Sequence, residues 1–130
     1  MRFPDKLDVL TVHARLIAET GGTGGIRDTG LLESALAAAE NRYHYEAADV
    51  VSCAAAYAYH LGQAHAFLDG NKRIAAAITE TFLETNGVQL VMTNDELAEL
   101  FLRIASSAIG RDQVEQILRA KVRITESHQD

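Results

Sequence analysis

The sequence predicts an all-α protein, a compact bundle of about six helices that packs around one core. First, 130 residues are enough for a single hydrophobic core but not for two. Second, apolar residues mostly recur at intervals of three and four, which places them on one face of a helix. Third, only residues 88–92 (VQLVM) resemble a strand, and one strand cannot form a sheet core. A short flap or a single strand segment is therefore the only β-structure expected.

Residues that start and stop helices set the expected boundaries. Asp28 or Thr29 can cap the second helix, and Thr93-x-x-Glu96 is a capping box that opens the fifth. Gly87 provides a left-handed stop for the fourth. The predicted helices cover about residues 6–20, 29–40, 47–64, 71–86, 94–109 and 112–122.

The remaining segments are predicted as connections within one domain. Residues 21–25 contain four of the nine glycines and are expected to form a flexible loop. Residues 41–45 have alternating aromatic side chains but are too short to be assigned to a strand. We expect residues 1–123 to form the domain and residues 124–130 to form a flexible C-terminal tail, because the tail has nothing to bury.

Charge and composition exclude several classes of partner. The 12 basic and 18 acidic residues give a net charge of −6, which disfavours direct DNA binding and attachment to anionic membranes. Residues 50–68 are uncharged and long enough to span a bilayer, but polar residues interrupt them, so a buried helix is the better interpretation. The N-terminus lacks the apolar core of a signal peptide, and the lone Cys53 cannot form an intrachain disulfide. We therefore expect a cytoplasmic protein.

The segment HAFLDGNKR, residues 65–73, separates the two central helices and has the features of an anion site. A helix that begins at Asn71 presents unpaired backbone N–H groups and the positive end of its dipole, which favour a phosphate. Gly70 permits a tight turn and the close approach of a ligand. Lys72 and Arg73 place two positive charges at the helix end that normally disfavours cations, and a bound polyphosphate would explain them.

Two further residues of this segment suggest chemistry. Asp69 would be repelled by a phosphate unless a divalent cation bridges them, which suggests Mg²⁺. His65 is the one side chain of the segment that can take a proton near neutral pH, so it is the candidate general base. Phe67 is expected to turn inward and pin the segment to the core. Together these residues suggest a nucleotide phosphate site of the kind that transfers phosphoryl groups.

Each residue also has an ordinary structural explanation. Asp69 and Gly70 alone would form a common turn, and Lys72 and Arg73 alone would form a solvated helix face. The other histidines considered are interpreted as structural residues, namely His13, His44 and His60. A metal hydrolase that uses His60 and His65 is disfavoured, because their spacing of five differs from the i, i+4 pairing of zinc-binding helices.

The segment resembles the signature of the Doc branch of the Fic/Doc family, which reads His-x-Phe-x-Asp/Asn-Gly/Ala-Asn-Lys-Arg. The resemblance extends through residues 30–36 (GLLESAL) and 82–87 (FLETNG), and covers about residues 5–122. The family's fold is a helical bundle, as predicted above. The positions that match the signature are His65, Phe67, Asp69, Gly70, Asn71, Lys72 and Arg73.

The resemblance implies a role for each matching position. His65 corresponds to the general base that deprotonates a hydroxyl of the target protein, and Asp69 to the acidic position associated with Mg²⁺. Gly70, Asn71 and Lys72 correspond to the anion-binding turn. Arg73 corresponds to the residue that holds phosphate.

The resemblance is weaker in the segment that would contact the target. Tyr43, His44 and Tyr45 fall where the family has a flap that aligns the target by strand pairing. The preceding residues 37–40 (AAAE) are less polar than that comparison would lead one to expect. Target docking is therefore a less specific inference than the phosphate site.

Lys72 separates two chemistries within the family. It stands where the Fic branch has a second glycine, whose open turn accommodates a nucleotide for AMP transfer. The Doc branch instead transfers the γ-phosphate of ATP, in the presence of Mg²⁺, to a threonine of elongation factor Tu and thereby arrests translation. The resemblance thus implies the toxin of a toxin–antitoxin pair that acts as a protein kinase. AMP transfer is the alternative, and a non-catalytic corepressor that only binds the antitoxin is a third possibility.

Inhibition is expected to come from a second protein. Self-restraining members of the family contain an inhibitory Ser/Thr-x-x-x-Glu-Gly/Asn helix. This chain has only Thr29-x-x-x-Glu33, and Ser34 follows where Gly or Asn is required. The resemblance therefore implies a separate Phd-like antitoxin that binds through its C-terminal segment and provides any indirect contact with DNA.

Overall fold

A computed structural model describes residues 1–125 of the chain and confirms the all-α class. Six helices pack into one bundle, and a two-stranded antiparallel sheet lies at its edge. The elements are α1 (Lys6–Thr20), α2 (Thr29–Glu46), α3 (Val50–Ala64), α4 (Asn71–Thr85), β1 (Val88–Leu90), α5 (Asn94–Ala105), α6 (Arg111–Ala120) and β2 (Val122–Ile124).

Helix α3 forms the centre of the bundle and packs against α2, α4, α5 and α6. Its side chains from Val51 to Ala58 are all buried, and many of them are alanines, which let the neighbouring helices approach closely. Near its C-terminal end, a Cβ atom at Gly62 would lie 2.7 Å from Cγ2 of Ile104 on α5, so only glycine fits there. This packing fixes the end of α3, where the candidate site begins.

Helix α2 is six residues longer than the sequence analysis predicts, and this corrects the interpretation of Tyr43, His44 and Tyr45. All three lie in the helix, which ends at Glu46 before the left-handed Ala47. The ring of Phe3 packs against the ring of Tyr43 at a centroid distance of 5.5 Å. A helical backbone already has its N–H groups paired, so the expectation of an extended, strand-pairing flap at these residues is wrong.

The C-terminal region also differs from the prediction. Helix α6 ends at Ala120, and the following strand β2 pairs with β1, with Val88 opposite Ile124 and Leu90 opposite Val122. Thr125 N–H donates to the carbonyl oxygen of Gly87 at 2.8 Å, so the ordered pairing extends past the predicted domain end at residue 123. The rest of the predicted tail, residues 126–130, lies outside the described residues.

The uncharged segment at residues 50–68 forms α3 and the loop after it, in the middle of the bundle. Between residues 1 and 125, no helix is both long and apolar enough to cross a membrane.

Candidate active site

The loop between α3 and α4 brings most of the predicted site residues to one surface cavity of about 230 Å³. Phe67 is instead buried beneath the loop, with 2% of its surface exposed. Tyr43, His44 and Tyr45 are on α2 and do not line the cavity. The lining residues are His65, Leu68, Asp69, Gly70, Asn71, Lys72 and Arg73.

The N-terminus of α4 is open toward this cavity. Its N-cap residue is Gly70, in the left-handed conformation with φ +76°, and no side chain caps the helix. The first helical hydrogen bond runs from Ile74 N–H to the carbonyl oxygen of Gly70, so the N–H groups of residues 71–73 have no partner within the helix. An anion at this position would accept hydrogen bonds from these groups and would be stabilised by the helix dipole.

Lys72 adds positive charge at the open helix end. Its side chain is exposed, and within residues 1–125 its ammonium group makes no ion pair or hydrogen bond. Because no carboxylate of the described residues neutralises this ammonium group, its positive charge is available to a bound anion. Lys72 and the unpaired N–H groups thus form a positive site on a protein whose net charge is −6.

Asp69 contributes one carboxylate beside the anion site. Its Oδ1 accepts a hydrogen bond from Gly70 N–H at 2.8 Å, and its Oδ2 accepts one from Thr23 N–H at 3.2 Å. The bond from Gly70, followed by that from Thr23, lowers the pKa of Asp69, so the group is ionised at neutral pH. Because Mg²⁺ is commonly bound by one or two carboxylates together with substrate phosphates, this single carboxylate fits such an ion. No cluster of three His, Cys, Asp or Glu residues that could hold a metal by itself occurs in residues 1–125.

The size of the cavity also limits what it can hold. Pockets that enclose drug-sized ligands measure roughly 300–1,000 Å³, and this one is smaller. Its lining at α4 is polar and cationic, which suits a small anion better than a drug-sized molecule.

Arg73 and Asn71 stabilise the geometry of the loop with their side chains. The guanidinium group of Arg73 donates to the hydroxyl of Thr20 and to the carbonyl oxygen of Gly21, which joins the start of α4 to the end of α1. The side-chain amide of Asn71 both accepts from Phe67 N–H and donates to the Phe67 carbonyl oxygen, each at 3.0 Å. The part of Asn71 that faces an anion is therefore its main-chain N–H.

His13 supports the loop from below, which the sequence analysis did not foresee. Its ring stacks on that of Phe67 with centroids 3.8 Å apart, and its Nε2 donates to the carbonyl oxygen of Asp69 at 2.8 Å. His13 is buried, with 3% of its surface exposed, so the interpretation as a structural histidine agrees with the structure. No local signal could have linked it to a loop 56 residues away.

His65 lies at the C-terminal end of α3 with its side chain exposed at the cavity. Its backbone has φ +49° and ψ +46°, the left-handed region that residues with a Cβ rarely adopt. The next residue, Ala66, is held by the glycine-rich loop, because Arg27 N–H and Asp28 N–H both donate to its carbonyl oxygen. Such conformations recur at functional sites, where the surrounding structure enforces them.

The glycine-rich loop, residues 21–28, therefore belongs to the site, although its sequence predicts only a flexible connection at residues 21–25. Leu68 N–H donates to the carbonyl oxygen of Gly25, and Ile26 forms an antiparallel bridge with Phe67. Gly22 has φ +115°, which residues with a Cβ rarely adopt, and a Cβ atom there would also lie 2.6 Å from Oδ2 of Asp69, so this position favours glycine. The four glycines at residues 21–25 are the sequence signal for this contact, since glycines allow two backbones to pack closely.

The chain is similar to known proteins over much of its length. The model of the Fic/DOC family matches residues 3–83. The chain is 32% identical over 120 residues to Protein kinase doc of Escherichia phage P1, which covers 92% of this chain and 94% of that protein. It is 41% identical over 93 residues to Toxin Doc of Mycolicibacterium smegmatis, which covers 70% of this chain and 69% of that toxin. The chain therefore belongs to the Fic/DOC family and, within it, to the Doc branch.

Proposed function

We propose that this protein is a toxin that transfers the γ-phosphate of ATP to a hydroxyl group of a target protein. By its likeness to the Doc branch, the target is a threonine of elongation factor Tu, and the outcome is arrest of translation in the cytoplasm. The main observation in support is the uncapped start of α4, with the unpaired Lys72, in the same cavity as the exposed His65. A phosphate donor bound at the start of α4 would therefore lie next to the proton acceptor, His65.

Binding of the phosphates uses groups that are already in position. The N–H groups of residues 71–73 and the ammonium group of Lys72 neutralise the negative charge that the transferred phosphate distributes over its oxygens. Asp69 is the residue that would hold Mg²⁺, and the ion would offset part of the negative charge of the phosphates. Because these groups need no rearrangement, they can stabilise the transition state electrostatically.

The transfer step requires a base at the attacking oxygen. His65 accepts the proton of the target hydroxyl, the hydroxyl oxygen forms a bond to the γ-phosphorus, and the bond to the β–γ bridging oxygen breaks. ADP leaves with that bonding electron pair. The exposure of His65 at the cavity gives the target hydroxyl access to its imidazole.

Lys72 supports transfer of the γ-phosphate over transfer of AMP. Its ammonium group has no partner in the described structure, and it lines the cavity at the place where the Fic branch leaves room with a glycine. A lysine there both fills space and attracts the terminal phosphates.

The segment that aligns the target is residues 21–28 in this proposal, in place of Tyr43, His44 and Tyr45. The glycine-rich loop is exposed and directly contacts the loop of His65 through the bridge between Ile26 and Phe67. Its position next to the proton acceptor is what a target-facing segment needs.

A separate antitoxin restrains the toxin in this proposal. A Phd-like antitoxin binds through its C-terminal segment, and the complex reaches DNA only through that antitoxin. The net charge of −6 supports this arrangement, since an acidic surface disfavours direct contact with DNA.

The test uses purified protein, elongation factor Tu and ATP labelled at either the α- or the γ-phosphate. We expect label from the γ-phosphate only, loss of transfer with EDTA, and strong loss for Lys72→Ala. The matched control is Lys6→Ala, which removes a lysine that, within residues 1–125, forms an ion pair only with the exposed Glu33 on α2. Transfer of label from the α-phosphate would show that the protein is an AMP transferase and not a kinase. No transfer of either label, with antitoxin binding intact, would leave a non-catalytic binding protein.

A further inference from the structure

The conformation of His65 needs a contact that maintains it. Its φ of +49° is uncommon for a residue with a Cβ, and His65 directly follows the last residue of α3. Without an external hydrogen bond, the residue could relax to a right-handed or extended backbone, which would redirect the imidazole. The direction of the imidazole decides whether it reaches a hydroxyl at the phosphate cavity.

One side chain contacts the backbone of His65 itself. Nε of Arg27 donates to the carbonyl oxygen of His65 at 2.8 Å, across 38 residues of sequence. Within residues 1–125, the carbonyl oxygen of His65 accepts no other hydrogen bond from outside the helices. The other contacts of the glycine-rich loop act one to three residues later, at Ala66 and Leu68.

The rest of the Arg27 side chain has no competing structural role. Within the described residues its two Nη atoms make no hydrogen bond, and it forms no ion pair with a carboxylate. Its main-chain N–H is bound to Ala66, which fixes the Cα atom close to the loop of His65. The side chain therefore reaches His65 from an anchored position.

We propose that Arg27 is a positioning residue, whose Nε–H holds the carbonyl oxygen of His65, keeps its backbone left-handed and directs its imidazole at the cavity. This proposal rests on the proposed role of His65 as the base. It assigns Arg27 no contact with the nucleotide. Loss of the hydrogen bond therefore changes how well the base is aligned and leaves nucleotide binding unchanged.

The test compares Arg27→Gln and Arg27→Lys with the parent protein. We expect Arg27→Gln to lower kcat for γ-phosphate transfer by about 10- to 100-fold, while KM for ATP stays within about twofold. The backbone ¹³C resonance of the His65 carbonyl, which reports the left-handed conformation, should shift in the same variant. Arg103→Gln is the matched control, because Arg103 is an exposed arginine of α5 whose side chain makes no hydrogen bond or ion pair in the described structure.

The lysine variant separates alignment from charge. If Arg27→Lys restores both the parent kcat and the parent carbonyl resonance, the result supports positioning. If Arg27→Lys restores neither, the result supports positioning as well. Recovery of kcat while the resonance stays displaced, or a large rise in KM for ATP, would show that the charge acts on the nucleotide and would overturn the proposal. If the parent protein transfers no phosphate, the proposed kinase fails. An unchanged His65 resonance in Arg27→Gln would overturn the positioning role by itself.

Discussion

The N-termini of α3 and α4 differ in whether a side chain caps them. Both helices have 15 residues and follow each other in the chain. The N-cap of α3 is Asp49, whose side chain accepts from Ser52 N–H at 2.9 Å and also pairs with Arg119 through both carboxylate oxygens. The N-cap of α4 is Gly70, no side chain among the described residues caps this helix, and the exposed Lys72 lies in its first turn.

The difference separates stability from function. A side-chain cap is worth about 1 kcal/mol of folding free energy, so α3 is stabilised at its start and α4 is not. The carboxylate of Asp49 also joins α3 to α6 through Arg119, which in turn pairs with Glu115. The open end of α4 leaves the N–H groups of residues 71–73 without a partner in the helix, and in the proposed function they bind the phosphates. A substitution at one helix start should therefore affect stability, and a substitution at the other should affect activity.

The largest effect on activity is expected from His65→Ala, in the cavity next to the N-terminus of α4. Loss of a general base lowers phosphate transfer by about 10²- to 10⁴-fold. His65 is exposed, and alanine removes no buried contact, so the free energy of unfolding should change little. Transfer assays with labelled ATP and urea unfolding of the same preparation measure both quantities. Full activity in His65→Ala would remove His65 as the base.

The next largest effect is expected for anion binding, which can be measured without catalysis. Pyrophosphate should bind the open end of α4 and raise the unfolding temperature, with about 2.7 kcal/mol of stabilisation at 100 times its Kd. Lys72→Ala should reduce this shift strongly. Arg123→Ala serves as the control, because Arg123 is an exposed cation on β2 whose side chain, in the described part of the chain, bonds only to Gln89. An equal shift in both variants would place anion binding elsewhere.

A smaller effect is expected at the α3 end. Asp49→Ala removes the N-cap and its pairing with Arg119, and should lower the free energy of unfolding by about 1–2 kcal/mol. Phosphate transfer by the folded variant should match that of the parent protein. Asp95→Ala, an exposed carboxylate in the first turn of α5, is the control. A loss of activity larger than the loss of folded protein would break the distinction between the two helix starts.

The smallest effect is the pH dependence of Asp49. Its hydrogen bonds with Arg119 lower the pKa from 3.8 to about 2. A lowered pKa in the folded state stabilises the protein above the unfolded pKa, and this contribution is lost as the pH falls from about 4 through 2. The side chain is 58% exposed, so solvent screening limits the contribution to below about 1 kcal/mol.

The variant Asp49→Asn isolates this charge, because asparagine caps a helix about as well as aspartate. Urea unfolding from pH 2 to pH 7 should show an advantage for the parent protein above pH 4 that disappears near pH 2. A constant difference over this range would mean that the charge of Asp49 does not contribute.

The sequence predicted the helices because their signals are local. The capping box of Thr93 and Glu96 is present, as is the left-handed Gly87 after α4. The sequence failed where a local pattern permits two structures. Tyr43, His44 and Tyr45 alternate as in a strand, but packing of Phe3 against Tyr43 accompanies their helical conformation. Strand β2 needs β1, which lies more than 30 residues earlier, and no pattern near Val122 indicates that partner.

The candidate site divides in the same way. By itself the sequence determined the nine-residue motif at residues 65–73, since its residues are contiguous and the start of a helix next to Gly70 follows from local backbone preferences. Only the tertiary structure decided what supports that motif: His13 beneath Phe67, and Arg27 at the carbonyl oxygen of His65. These contacts join residues 54 and 38 positions apart, and they form because the packing of α1 and α2 against the bundle brings their backbones to the loop.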